Sequence, residues 1–198
     1  VAVALILFLA AGVGAAPKPQ EVLQNNIDQF TDLLEKPEYQ GQANRDKLED
    51  KIWEIVPDVF DFEGVARLAL GPHWRKFNEK QQKEFTDLFS KLLGDNYIDK
   101  IVDNYSGEKV QFNETEIVND RKAIVDTVVI GEKNDIPVTY SMWNRGGLWR
   151  VYDVKVEGVS LIKNYRSQFN EMLVNNPPKY VIDRVKEKLA AGDSSDRM

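Results

Sequence analysis

The chain has no cysteine and a single histidine among its 198 residues. The first absence removes thiol nucleophiles, zinc–thiolate sites and disulfide staples together. The second leaves His73 alone, after Gly71-Pro72 and beside Trp74, as poor material for a metal site or a hydrolase triad. No Gly-x-Ser-x-Gly segment accompanies it. Glycines are also scarce where phosphate chemistry would need them, since Gly64, Gly71 and Gly158 fall in no phosphate-cradling pattern. A basic excess is missing too. The 26 basic residues are outnumbered by 32 acidic ones, for a net charge of −6, which argues against nucleic acid as a partner. There is no acidic run, internal repeat or low-complexity segment. Hydrophobic residues at 42% and charged ones at 29% describe a globular chain able to build a core without disulfides.

Long apolar runs are limited to the start. Val3 to Leu9 is followed by the small residues of 10–16, an apolar core and then a cleavage region with Val13 and Ala15 at the −3 and −1 positions. Residues 1–15 read as a secretory signal peptide lacking its usual basic start, with a membrane anchor as the alternative. The run is short for a bilayer span. No cysteine follows it, which excludes lipoprotein-type attachment. Residues 16–198 then form a single unit.

Within that unit the hydrophobic period changes twice. Val22, Leu23, Ile27, Phe30, Leu33 and Leu34 predict a helix ending before Pro37; Leu48, Ile52, Ile55 and Val56 predict a second stopped by Pro57. Asp61 caps a short helix closed at Gly71-Pro72. Asn78 with Gln81 resembles a capping box, opening a helix through Phe85, Phe89 and Leu92 that bends near Gly94. Strand-like alternation occupies about 105–157, with turns at 119–121, at 132–135 and at 144–147. There Tyr152, Val154 and Val156 share one face, and Asp153 and Lys155 the other. Gly158 turns the chain into a helix capped by Ser160 and marked by Leu161, Ile162, Tyr165, Phe169 and Leu173. A last helix follows Pro177-Pro178. Four antiparallel strands with helices before and after make an α+β fold.

Chemistry-bearing residues are few. Carboxylates suffice in number for a glycosidase-like pair, and Asp153 stands out by interrupting an apolar strand. Alternation turns it to the outer face, where Arg121 or Arg150 would pair with it. Asn113-Glu114-Thr115 matches the short glycosylation triplet. Aromatic residues, 10% of the chain, lie mostly on apolar stripes, which fit a solid core and an apolar cavity equally well.

Asp61-Phe62-Glu63-Gly64-Val65-Ala66-Arg67-Leu68-Ala69-Leu70-Gly71-Pro72-His73-Trp74-Arg75 resembles the "D…A…LG…W" segment of the MlaC, or toluene-tolerance, family, continued by Gln82, Phe85, Phe89, Leu92 and Tyr97. The stretch from Trp149 through Gly158-Val159-Ser160-Leu161 to Tyr165-Arg166 and Phe169 is similar to the family's second signature. The resemblance implies an NTF2-like four-stranded sheet with a small helical subdomain. It implies a periplasmic phospholipid carrier, exchanging lipid between an inner-membrane ABC transporter complex and an outer-membrane lipoprotein complex and so maintaining outer-membrane lipid asymmetry. Acyl chains would be enclosed and the head group left outside. No catalytic residue, metal or cofactor is implied, only bound phospholipid as cargo, and a monomer is the default. Periodicity nominates as lining Val65, Leu68, Phe85, Phe89, Leu92 and Tyr97 on helices. On strands it nominates Val125, Val129, Val138, Tyr140, Met142, Tyr152, Val154 and Val156, and after them Leu161, Tyr165 and Phe169. Arg67, Arg75 and Lys76 are candidates for a head group or partner. The competing readings are an enzyme on the same cone, with Asp153 or Tyr140 as acid or base, and a periplasmic scaffold with a solid core.

Overall fold

Local signals set most helix boundaries. The computed structural model describes residues 17–131 and 134–192; the leader expected over 1–15 and the turn residues Glu132 and Lys133 lie outside the described residues. Helix α1 (Pro19–Glu35) opens on a proline, whose missing N–H is no loss at that position, and stops before Pro37. Helix α2 (Arg45–Val59) runs past the stop expected at Pro57. A proline in the last turn removes one ladder bond, but Phe60 N–H still reaches Val56 O at 3.0 Å and closes the helix beyond it.

Helix α3 (Phe62–Leu70) is capped by Asp61, which accepts a 2.9 Å bond from Gly64 N. The other Asp61 oxygen meets Arg145 at 2.8 Å. Asp61→Ala is expected to cost about 1–2 kcal/mol in chemical denaturation, and Asp61→Asn, which keeps the cap, clearly less. Equal losses would assign the effect to the ion pair instead. Helix α4 (Glu79–Leu93) starts with the reciprocal box: Gln81 N donates to Asn78 Oδ1 at 2.9 Å and Asn78 N to Gln81 Oε1 at 3.0 Å.

At the bend expected near Gly94 the helix widens into a π-turn, Gly94–Ile98, and continues as α5 (Asp99–Asn104). Gly94 faces the Trp53 indole so closely that a Cβ there would lie 2.2 Å from it. Arg45 of α2 holds α5 through Asp99 at 3.4 Å and Asp103, and also binds Glu49. Four carboxylates, Glu49, Asp95, Asp99 and Asp103, thus crowd this corner. Burial first raises Asp95 and Asp99 above the ordinary carboxylate range, with repulsion from Glu49 adding to it and Lys91 and Arg45 pulling the other way. A raised folded pKa means the native state binds more protons than the unfolded one, so these two groups withdraw stability as pH rises through that range. Asp95→Asn is therefore expected to raise the melting temperature near neutral pH and to lose that advantage in acid; a gain independent of pH would contradict the assignment.

Strands β1 (Lys109–Asn119), β2 (Lys122–Ile130), β3 (Ile136–Arg145), β4 (Leu148–Val156) and β5 (Val159–Ser160) form one antiparallel sheet in sequence order. The sequence leads to four strands; the fifth has two residues, too few for an alternation to register. It exists because Glu157 and Gly158 both adopt positive φ, 51° and 81°, as the tightest hairpin turns require. Ser160 ends β5 and caps α6 (Leu161–Asn175), accepting from Lys163 N at 3.0 Å. Helix α7 (Pro178–Ala191) completes the described chain.

The apolar interior is divided among three clusters. One is wholly helical, built from α3, α4, α6 and α7 with Phe77 between them. A second joins Leu23 of α1 to Ala123, Val125, Met142, Trp149 and Val151 of the sheet. The third binds α1 to α2 through Leu34, Leu48, Ile52 and Val56, with Ile98 and Val102 against it. Phe60 touches the second and third, while the helical cluster shares no residue with either.

Candidate functional site

Cross-strand register defines the face of the sheet turned toward α1. Ala123, Met142 and Val151 form one tier, Val125, Tyr140 and Val154 the next, and Thr127, Val138 and Val156 the third. The first tier is buried beneath Leu23, with Ile27, Val59 and Phe60 packed around it. The third lies outside that cluster, although Thr127 and Val138 are themselves buried. Val129, Val138 and Val156, and also Leu161 at the start of α6, belong to none of the three clusters, and all but Val138 keep partial exposure. Around them the surface carries Ile130, Ile136 and Val159, the last 62% exposed. An apolar strip therefore runs from a sealed end to an open one.

Tyr152 does not belong to this strip. Strand β4 carries one extra residue against β3: Ser141 pairs with Asp153 and Met142 with Val151, leaving Tyr152 unmatched. Such a bulge inverts the alternation beyond it, so Tyr152 and Asp153 both face outward. Tyr152 stacks on Trp143 at 4.5 Å between ring centroids, with Arg145 lying 3.9 Å over the indole. Val151, passed over in the sequence, takes the inner position. Only the partner strand's pairing could have revealed this.

The helical candidates go elsewhere. Val65, Phe85, Phe89, Leu92, Tyr165 and Phe169 are buried in the helical cluster, with Leu68 and Tyr97 against it. Phe89 meets Tyr165 edge-on at 4.9 Å and Phe169 at 5.3 Å, and Phe85 stacks on Phe89 at 5.4 Å. These rings fill one another's space. The structure thus brings Val125, Val129, Val138, Tyr140, Met142, Val154 and Val156 together on the strip and gathers the helical set in a separate core. Phe112 of β1, opposite Thr127, joins the strip's neighbours and was not singled out by its sequence context.

Polar groups near the strip are few. Thr127 is buried and donates to Val138 O at 2.9 Å. Tyr140 is half-buried in the middle tier, and burial alone pushes its phenol up to about 12. A phenol so protonated is no base near neutral pH. Asp153 is on the outer face as expected, but its partners are not arginines. It accepts from Ser160 Oγ at 2.7 Å and from Ile162 N at 3.2 Å, tying β4 to α6, while Arg150 reaches Asp58 at 3.6 Å. His73 bonds Asn170 at 3.0 Å on the helical unit.

Two recesses open away from the strip. One of about 630 Å³ lies at the hairpin tips, between Asp120–Lys122 and Trp143–Gly146. The other, of about 330 Å³, is lined by Arg67, Gly71, Pro72, Trp74 and Arg75. Among the described residues no group of three or more His, Cys, Asp or Glu side chains could hold a metal ion, and no helix is long and apolar enough to cross a membrane.

Comparison with known proteins agrees with this architecture. The chain is 25% identical over 164 residues to the toluene tolerance protein Ttg2D of Pseudomonas putida, covering 82% of this chain and 76% of that one. It is 26% identical over 164 residues to the intermembrane phospholipid transport system binding protein MlaC of Haemophilus influenzae, covering 76% of this chain and 72% of that one. Its fold is similar to that of a phospholipid-binding protein from Ralstonia solanacearum solved in complex with a phospholipid. The TM-score there is 0.78 at 19% identity, over 89% of this chain and 99% of that one. The profile of the MlaC protein family matches residues 24–187, and the chain belongs to that family.

Proposed function

We propose that this protein binds phospholipid by its acyl chains against the open part of the inner face and carries it between two membranes. The observation that supports this most is the end of the strip beyond the middle tier, where Val129, Val138 and Val156 form an apolar surface that belongs to none of the three clusters. Family membership and the phospholipid in the Ralstonia relative point the same way.

Each methylene removed from water contributes roughly 0.8 kcal/mol. Two long chains represent on the order of 20 kcal/mol, which only a dry apolar enclosure can supply. A bilayer supplies about the same, so transfer between bilayer and protein is close to isoenergetic, and direction comes from the partners. Those partners are an inner-membrane ABC transporter complex and an outer-membrane lipoprotein complex of the Mla type, with the carrier working in the periplasm to maintain outer-membrane asymmetry. The role is binding rather than catalysis: Asp153 spends its oxygens on Ser160 and Ile162, and Tyr140, held protonated, is no base. Phospholipid is cargo, and the reading needs no cofactor.

Native mass spectrometry of the purified protein, with organic extraction, tests the reading. Phospholipid bound to folded protein is the expected result. Folded preparations that neither retain lipid nor take it up from vesicles would refute it.

A further inference from the structure

Tyr140 breaks the chemistry of the strip. Its cross-strand neighbours are Val125 on β2 and Val154 on β4, and the tiers on either side are Ala123, Met142 and Val151, and Thr127, Val138 and Val156. Thr127 spends its hydroxyl on Val138 O. The Tyr140 hydroxyl has no partner among the described residues, and it is not sealed off, since the side chain is half-buried and its oxygen is absent from the buried groups that lack partners. A phenol in a desolvated setting ordinarily finds an acceptor. This one lies among apolar side chains with no acceptor among the described residues, so its bond goes to water when the strip is bare and is free for a ligand that displaces that water.

Resting on the carrier reading above, we infer that Tyr140 donates a hydrogen bond to an acyl carbonyl oxygen of the bound lipid and selects for lipids that have one. The carbonyl suits the site for two reasons. It accepts without donating, matching a phenol that has a proton to give, and it is the one polar group carried at the head of a hydrocarbon chain. Burial also keeps this hydroxyl protonated, and therefore a donor, throughout the physiological range. Burying the chains is indifferent to the carbonyl, so the hydroxyl sets preference while the valines set affinity.

The experiment compares dipalmitoyl phosphatidylglycerol with its dihexadecyl-ether analogue, which has the same head group and chain length but no carbonyl. Each is titrated into delipidated wild type and Tyr140→Phe, a variant that keeps the ring and its packing. Wild type should prefer the ester lipid by about fivefold to tenfold, the scale of one net hydrogen bond. Tyr140→Phe should bind both lipids alike, at the level of the ether lipid or somewhat better. Infrared spectra of an isotope-labelled ester carbonyl should show a lower stretching frequency in wild type than in the variant. Palmitate, titrated separately, identifies the source: a wild-type advantage with palmitate alone assigns the hydroxyl to a free fatty acid, and one with the ester lipid assigns it to the glycerol ester. Equal binding of both lipids by wild type, or a preference that survives in Tyr140→Phe, overturns the inference and leaves the carrier reading standing. Failure of wild type to bind either lipid overturns both.

Discussion

Val156→Glu is expected to abolish lipid retention while leaving the fold in place. Val156 is half-buried at the open end of the strip, opposite Val138, so a carboxylate there can reach water when the site is empty. With acyl chains bound it cannot, and stripping an ionised group of solvent without a partner costs several kcal/mol. That corresponds to a loss of affinity of about a hundredfold or more. Lys155→Glu is the matched control. It adds the same side chain one residue away on the outer face, where Lys155 pairs across the ladder with Thr139, and should retain lipid as wild type does. Extracted phospholipid per mole of folded protein is the measurement. Acid should partly restore binding to Val156→Glu, because a protonated carboxyl is far cheaper to bury. A Val156→Glu protein that still carries its full complement of lipid would show that the chains lie elsewhere.

Gly64→Ala is expected to be the most destabilising of the smallest possible changes. A Cβ at Gly64 would sit 2.0 Å from Trp143 Cζ2 and 2.6 Å from Cη2. The obstacle is a rigid ring, itself stacked on Tyr152 and met by Arg145, and not the end of a flexible side chain. Relief requires moving α3 away from the sheet or the indole off its stack. Overpacking of this kind costs about 3 kcal/mol at the upper end of its usual range, which for a chain of this size lowers the melting temperature by roughly 10 °C. Gly94→Ala should act in the same direction, with Trp53 in the place of Trp143. Unfolding curves that match wild type for both variants would mean that these helices settle against the tryptophans less closely than described.

How far the sequence reaches depends on whether a signal is local. Asp61, the Asn78–Gln81 box and Ser160 act within three residues of themselves, and all three caps form as their chemistry dictates. Alternation along β2 likewise places Ala123, Val125 and Thr127 on one buried face. The bulge at Tyr152 is different, because it is a mismatch between two strands and leaves no trace in either strand alone. The helical candidates show a second limit. A stripe such as Phe85, Phe89 and Leu92 says that one face is covered but not by what, and here residues of α6 and α7 pack over it. The strip's open end was therefore legible only in part: its valines are visible as strand residues, but their position outside the three clusters is a property of the assembled fold.

The division of the interior into separate clusters bears on how a lipid could get in. Separation of the α3–α4–α6–α7 bundle from the sheet would leave both cores intact, because no cluster spans the two. Amide hydrogens of the bundle and of the sheet should then exchange as two cooperative units with different opening energies. Lipid occupancy should slow exchange chiefly along the valine-lined ends of β2, β3 and β4. Swelling to admit a large cargo would take place at a seam and would not require melting either block.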